Sequence, residues 1–310
     1  MKGTVMQRRV WLKTGAGLAA SLAATKMNYL HALEKVSEKT VDQDAIGRYR
    51  SQIGIQLYTL RGEISKDVKA TIRAVADAGY KQVEPYGFPN ADEMIEESKR
   101  CGMSVNSSHF AWDSVIDPSR KDVPSFESIV EAANQHGLKH LVIPYLQGGV
   151  RETLDDYRSL CDRFNRAAEM AKKNGLQLAY HNHAFEFEPK EGDLCGFDIM
   201  MERFSEDMKF EVDVFWVEVG GRDAAKLVRS LKGRVSQLHL KDLQASIKTP
   251  NFGSIPNEAF EELGDGKIDM VPILEAALDA DVEHCHVEQD HSPHPIKSIQ
   301  QSMKHLKKLS

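Results

Sequence analysis

From residue 51 onward, short runs rich in β-branched residues alternate with longer amphipathic stretches, and the alternation recurs eight times. The runs are Gln52–Tyr58, Gln82–Gly87, Ser104–His109, His140–Leu146, Gln177–His183, Lys209–Trp216, Val235–Asp242 and His284–Asp290. Parallel strands need a long crossover, usually helical, so this rhythm predicts a parallel sheet with helices on its outside. The helices have legible ends. Asp67–Ala78 stops at Gly79, Ser125–His136 at Gly137 and Leu154–Asn174 at Gly175, because glycine accepts the left-handed conformation that closes a helix. Asp198–Phe204, Asp223–Leu231, Met270–Leu278 and a basic final stretch, Ile296–Leu309, continue the series. Eight such units over about 260 residues predict an α/β fold, a closed (β/α)8 TIM barrel. No GxGxxG follows the first run, which argues against an open dinucleotide-binding sheet.

The chain of 310 residues divides on this reading into an export signal (1–25), a polar lead-in (26–50) and a barrel domain (51–310). Gln7-Arg8-Arg9-Val10-Trp11-Leu12-Lys13 precedes a weakly apolar stretch from Gly15 to Ala24 and resembles a twin-arginine export signal. That stretch is too short to span a bilayer, which takes about 20 apolar residues. The expectation is a periplasmic or otherwise exported protein that meets a membrane only through an uncleaved leader. With 41% hydrophobic and 28% charged residues the chain can build a sizeable core. A net charge of −6 and no Lys/Arg run interleaved with aromatics exclude nucleic acid as a partner. The four cysteines form no CxxC pair, so no zinc knuckle is indicated. A homodimer is left open.

In a barrel of this kind the active site lies where the strands' C-terminal ends open. His181 and His183 close the fifth run, Asp213 lies late in the sixth, His239 and Lys241 close the seventh, and Glu288 and Asp290 the eighth. Alternate residues of a strand share a face, so His181 pairs with His183, Glu211 with Asp213, His239 with Lys241, and His286 with Glu288 and Asp290. The intervening Val212, Val214, Trp216, Leu238, Leu240, Cys285 and Val287 suit the layer against the helices. Four neighbouring strands thus offer His181, Asp213, His239 and Glu288 to one ion. Nitrogen and oxygen ligands without sulfur suit Mn²⁺, Zn²⁺, Co²⁺ or Fe²⁺, and Mg²⁺ less well. The Pro- and Gly-rich insertion Gln244–Lys267 reads as a lid over the barrel mouth.

On its most specific stretches the sequence resembles the xylose isomerase-like barrels of the sugar phosphate isomerase/epimerase group, which includes tagatose 3-epimerase-type enzymes and inosose dehydratases. Those stretches are Leu178-Ala179-Tyr180-His181-Asn182-His183, Phe210-Glu211-Val212-Asp213, Leu238-His239-Leu240-Lys241-Asp242, Gly264-Asp265-Gly266-Lys267 and Val287-Glu288-Gln289-Asp290. The resemblance implies an ion held by a Glu on strand five, an Asp on six, a His on seven and a Glu on eight. The last three fall on Asp213, His239 and Glu288. His181 stands in place of the first glutamate, so the pair of glutamates that exchanges protons in the epimerases lacks one member.

The expected chemistry is proton abstraction beside a carbonyl of a carbohydrate, through a metal-stabilised enediolate. Glu288, His183 or His109 would move the proton and Lys241 would hold a substrate oxygen. Gln56, Tyr58, Glu84 and Trp112 would contact the sugar, with Phe185 and Trp216 near them. The formal class is isomerase/epimerase. The rival is a lyase acting on a 3-keto-glycoside, which needs one base and one acid. A non-catalytic exported sugar-binding protein is a second alternative; an abasic-site endonuclease on the same scaffold is disfavoured by the acidic charge balance.

Overall fold

The computed structural model describes residues 43–309, and the proposed export signal and most of the lead-in lie outside them. The chain's β-branched runs form eight short parallel strands: β1 (Gly54–Gln56), β2 (Gln82–Glu84), β3 (Ser107–His109), β4 (His140–Ile143), β5 (Gln177–His181), β6 (Met208–Asp213), β7 (Val235–Leu240) and β8 (His284–Val287). Parallel pairing runs β2-β1-β8-β7-β6-β5-β4-β3. Strand three is broken at Asn106. Its first half, Ser104–Val105, pairs with β2, whereas β3 pairs with β4, so one strand joins both ends of the sheet and closes the barrel. The Asn106 carbonyl accepts from Lys139 N and His140 N, and its amide donates to Gln82 Oε1.

Helices alternate with the strands: α1 (Gln43–Ser51), α2 (Val68–Ala78), α3 (Asp92–Arg100), α4 (Phe126–His136), α5 (Leu154–Lys173), α6 (Gly196–Arg203), α7 (Val214–Val219), α8 (Ala224–Ser230), α9 (Met270–Asp279) and α10 (Pro295–Leu306). Asp67, Ser125 and Thr153 cap α2, α4 and α5 by accepting from backbone N–H groups three residues on. Gly79 and Gly137 close α2 and α4 with φ of 109° and 73°. α3 has no counterpart in the sequence reading, since only Met94 and Ile95 make its apolar stripe. The end of the lead-in joins the fold as α1: Ile46 and Tyr49 are buried, and Tyr49 donates to Val282 O.

All of the strands but β3, which ends with its run at His109, stop two or three residues before the apolar runs do, because the backbone bends into the mouth loops. The sixth run shows the cause. Asp213 Oδ1 accepts from Trp216 N at 3.1 Å and starts α7, so Val214 and Trp216 are helical and Trp216 turns toward the mouth, not toward the outer helices. After β7, Asp242–Leu243 pairs antiparallel with Phe260–Glu261, which folds the insertion back over the barrel end. Asp242 pegs it: Oδ2 accepts from Gly264 N and Gly266 N, and Oδ1 from Leu243 N and Ile268 N. A Cβ on Gly266 would lie 2.3 Å from Asp242 Oδ1, so the Gly264-Asp265-Gly266 stretch is shaped to this carboxylate. Asp242→Ala strands several buried donors and is expected to lower stability by about 3 kcal/mol, measured by urea unfolding.

Candidate active site and metal centre

At the C-terminal ends of the strands lies a cavity of about 690 Å³. Tyr58, His109, Trp112, His181, His183, Lys241 and Glu288 line it, all of them singled out from sequence. Tyr86, Tyr145, Trp216, Asp290 and His291 complete much of the wall, and Gly253, Ser254, Ile255 and Phe260 of the insertion close one side. A larger hollow of about 1000 Å³ lies outside the barrel, between the Ser114–Phe126 segment and α5. It includes no residue of the potential metal-ligand groups found among the described residues.

One donor atom each from His181, Asp213, His239 and Glu288 falls within a 4.8 Å span, all four residues being buried. The chain prepares both imidazoles for this role. His181 Nδ1 lies 3.0 Å from Glu211 Oε2, which turns Nε2 toward Asp213 Oδ2 at 3.7 Å. His239 Nε2 lies 2.8 Å from Glu84 Oε1, which turns Nδ1 toward Glu288 Oε2 at 2.7 Å. A carboxylate behind each imidazole fixes its tautomer and orientation. Asp213 gives Oδ1 to the α7 cap and leaves Oδ2 buried with no hydrogen bond; Lys241 Nζ stands 3.0 Å away, out of alignment. That orphaned oxygen, two aimed imidazoles and a second carboxylate fit a divalent ion.

Charge balance supports the fit. Burial works against charge on His239, but Glu211 and Glu288 outweigh it and hold its pKa well above the ordinary value. A cation would take the place of that proton on Nδ1. Lys241, likewise buried, is kept charged by Asp213, Asp290 and Glu288, with Nζ 2.8 Å from Glu288 Oε2 and 2.9 Å from Asp290 Oδ2.

His183 lies one turn of loop past β5. Its backbone N donates to the buried Glu186 Oε2 at 2.8 Å, and its ring stacks on Phe185 with centroids 5.2 Å apart. Tyr145 meets its edge and Trp216 flanks it. Nδ1 is buried without a hydrogen-bond partner, and burial, aided by His181 and Lys241, pushes the pKa well below the imidazole range. The cavity wall therefore carries a neutral imidazole beside the four-residue cluster.

Gln56 and Glu84 do not line the cavity. Both are fully buried one layer below, where Gln56 Nε2 donates to Glu84 Oε1 at 2.8 Å and Gln56 Oε1 accepts from Tyr58 N. Glu84 also accepts from Ser107 and Gln237 and faces His109. His109 reaches the cavity but turns Nε2 down to Glu211 Oε2 at 2.9 Å, and Glu84 and Glu211 outweigh burial to lift its pKa to about 9. Sequence reasoning missed Glu211 and Gln237 as site residues. The signal for Glu211 was its position two residues before Asp213 on the same face. Glu211→Gln keeps the volume but weakens the support behind His181, and is expected to reduce divalent-ion affinity about 10–100-fold in a chelator competition assay.

A model of the family described as xylose isomerase-like TIM barrel matches residues 72–309. An inosose dehydratase of Clostridium perfringens strain 13 is 22% identical over 263 residues, covering 76% of this chain and 88% of the relative. Among solved structures, a sugar phosphate isomerase/epimerase from Parabacteroides distasonis ATCC 8503 superposes with a TM-score of 0.66 at 24% identity, covering 84% of this chain and 98% of that one. The IolI protein with a bound zinc atom gives 0.60 at 14% identity, over 83% and 96%.

Proposed function

The chain belongs to the xylose isomerase-like TIM barrel family, and from that footing we propose that it is a divalent-metal-dependent enzyme that removes the proton beside a carbonyl of a carbohydrate or polyol. The observation that carries this reading is the His181, Asp213, His239 and Glu288 cluster with the His183 imidazole beside it, its Nδ1 buried and without a hydrogen-bond partner. The zinc atom in the IolI structure argues for an ion in such a barrel. His181, Asp213, His239 and Glu288 would hold a divalent ion, which would supply Lewis acidity for acidifying a C–H beside a carbonyl. His183 takes the proton, and Glu186 fixes the loop that carries it. Lys241 donates to a substrate oxygen from among its three carboxylates. Tyr58, Trp112 and Trp216 offer apolar faces to the sugar ring and exclude water.

Isomerase/epimerase is the class this first step serves when the proton returns to carbon. A second reading, elimination of a group β to the carbonyl as in a lyase, is favoured by one feature: the position of the family's first glutamate is His181, leaving Glu288 as the one glutamate of the pair. The inosose dehydratase relative points the same way. The substrate on either reading is unphosphorylated. Among the described residues lining the cavity Lys241 is the one lysine or arginine, and three carboxylates already neutralise it. Export through the twin-arginine-like leader is part of the same proposal, since an exported enzyme would meet free sugars and phosphorylated sugars are cytoplasmic metabolites.

Deuterium uptake from D₂O into keto-sugars and 3-keto-glycosides, followed by NMR, tests the proposal with the metal-stripped and reloaded protein side by side. Uptake that requires reloading is the expected result, and the product separates epimer from unsaturated ketone. Equal uptake, or none, with and without bound metal would sink it.

A further inference from the structure

The interior of the barrel holds another group of metal-binding side chains, at the opposite end from the cavity. His140 opens β4 and His284 opens β8, so in an all-parallel barrel both stand at the N-terminal mouth. In the pairing order three strands separate β4 from β8 on either side, which sets the two directly across the lumen. Their imidazoles nevertheless meet, with ring centroids 5.7 Å apart at 84°, so both point inward. Glu283, the residue before β8, brings Oε2 to 3.5 Å from His140 Nε2.

His140 is 2% exposed, yet neither of its ring nitrogens makes a hydrogen bond, and His284 Nδ1 is likewise buried and unpartnered. Leaving buried polar atoms unsatisfied costs free energy, and a native chain that tolerates three of them in one place has a use for them. One donor atom from each of His140, His284 and Glu283 lies within a 4.8 Å span. A tetrahedral ion would draw them to about 3.3 Å apart, given bonds of about 2.0–2.2 Å. The Glu283 side chain, 60% exposed, has room to make that adjustment and opens the site to solvent.

We propose that His140, Glu283 and His284 form a second divalent-metal site, separate from the cavity, that takes a borderline ion such as Zn²⁺ and ties β4 to β8 across the base of the barrel. Two nitrogens and one carboxylate oxygen, with water in the fourth position, are a donor set that suits Zn²⁺ better than Mg²⁺ or Ca²⁺.

The test is zinc stoichiometry of the full chain, stripped with chelator, reloaded with Zn²⁺ alone, desalted and analysed for metal. Wild type is expected to hold about two equivalents, and His140→Ala/His284→Ala and Asp213→Ala/His239→Ala about one each. Glu283→Gln, an exposed change that leaves folding intact, is expected to weaken one equivalent at least about 10-fold, with the melting curve of the zinc-free protein unchanged. One equivalent in wild type that Asp213→Ala/His239→Ala removes, or two equivalents retained in both His140→Ala/His284→Ala and Glu283→Gln, overturns the site. One equivalent that only His140→Ala/His284→Ala removes would uphold this site and count against the metal in the cavity.

Discussion

Asp213→Ala/His239→Ala is expected to lose the cavity ion and, with it, about 10³-fold or more in the rate of metal-dependent proton exchange. The two residues supply the orphaned carboxylate oxygen and an imidazole held in register by Glu84, and the two that remain, His181 and Glu288, are too few to keep a divalent ion from water. A Lewis acid at a developing oxyanion contributes several kcal/mol, and about 4 kcal/mol converts to about a thousandfold in rate. Elemental analysis and the D₂O exchange rate on the same preparation check the prediction together. A variant that loses the ion and keeps the rate would separate catalysis from this cluster.

The second large effect belongs to His183. Replacing it by alanine removes the base while leaving the four ligand residues in place, and a positioned general base contributes about 10²–10⁴-fold. The loss should appear in kcat with KM little changed and metal content unaltered. Imidazole added to His183→Ala should restore part of the rate, and substituted imidazoles should restore it in proportion to their basicity. A ring that merely packs between Phe185, Tyr145 and Trp216 would give no such dependence.

The eight-strand rhythm was readable because buried parallel strands are apolar on both faces and glycine stops such as Gly79 and Gly137 mark where helices end. The four clustered residues, His181, Asp213, His239 and Glu288, stood out in the sequence because each lies near the C-terminal end of its strand, where a barrel opens its active face. What escaped lies one layer down. Glu84 and Gln56 sit at strand ends as well, but both side chains are fully buried and spent inward, Gln56 on Glu84 and Tyr58 N, Glu84 on Gln56 and His239. Polar residues that support other polar residues look the same in a sequence as those that touch a substrate; only the third dimension separates them. Trp216 was read two ways, against the helices and beside the sugar, since an apolar run reads as one strand until the Asp213 side chain is seen to start a helix inside it, and the cavity lining bears out the second.

That carboxylate has a practical consequence for dissecting the protein. Asp213 is at once the first peg of a helix and a member of the buried four-residue cluster, with Oδ1 given to the helix and Oδ2 left to the cluster. Alanine there erases both functions, whereas asparagine, itself a good cap, preserves the turn and discards the negative charge. The difference between the two substitutions therefore isolates the architectural share of the residue from its chemical share, and the Trp216 indole, three residues on, offers a fluorescence signal by which to see the two come apart.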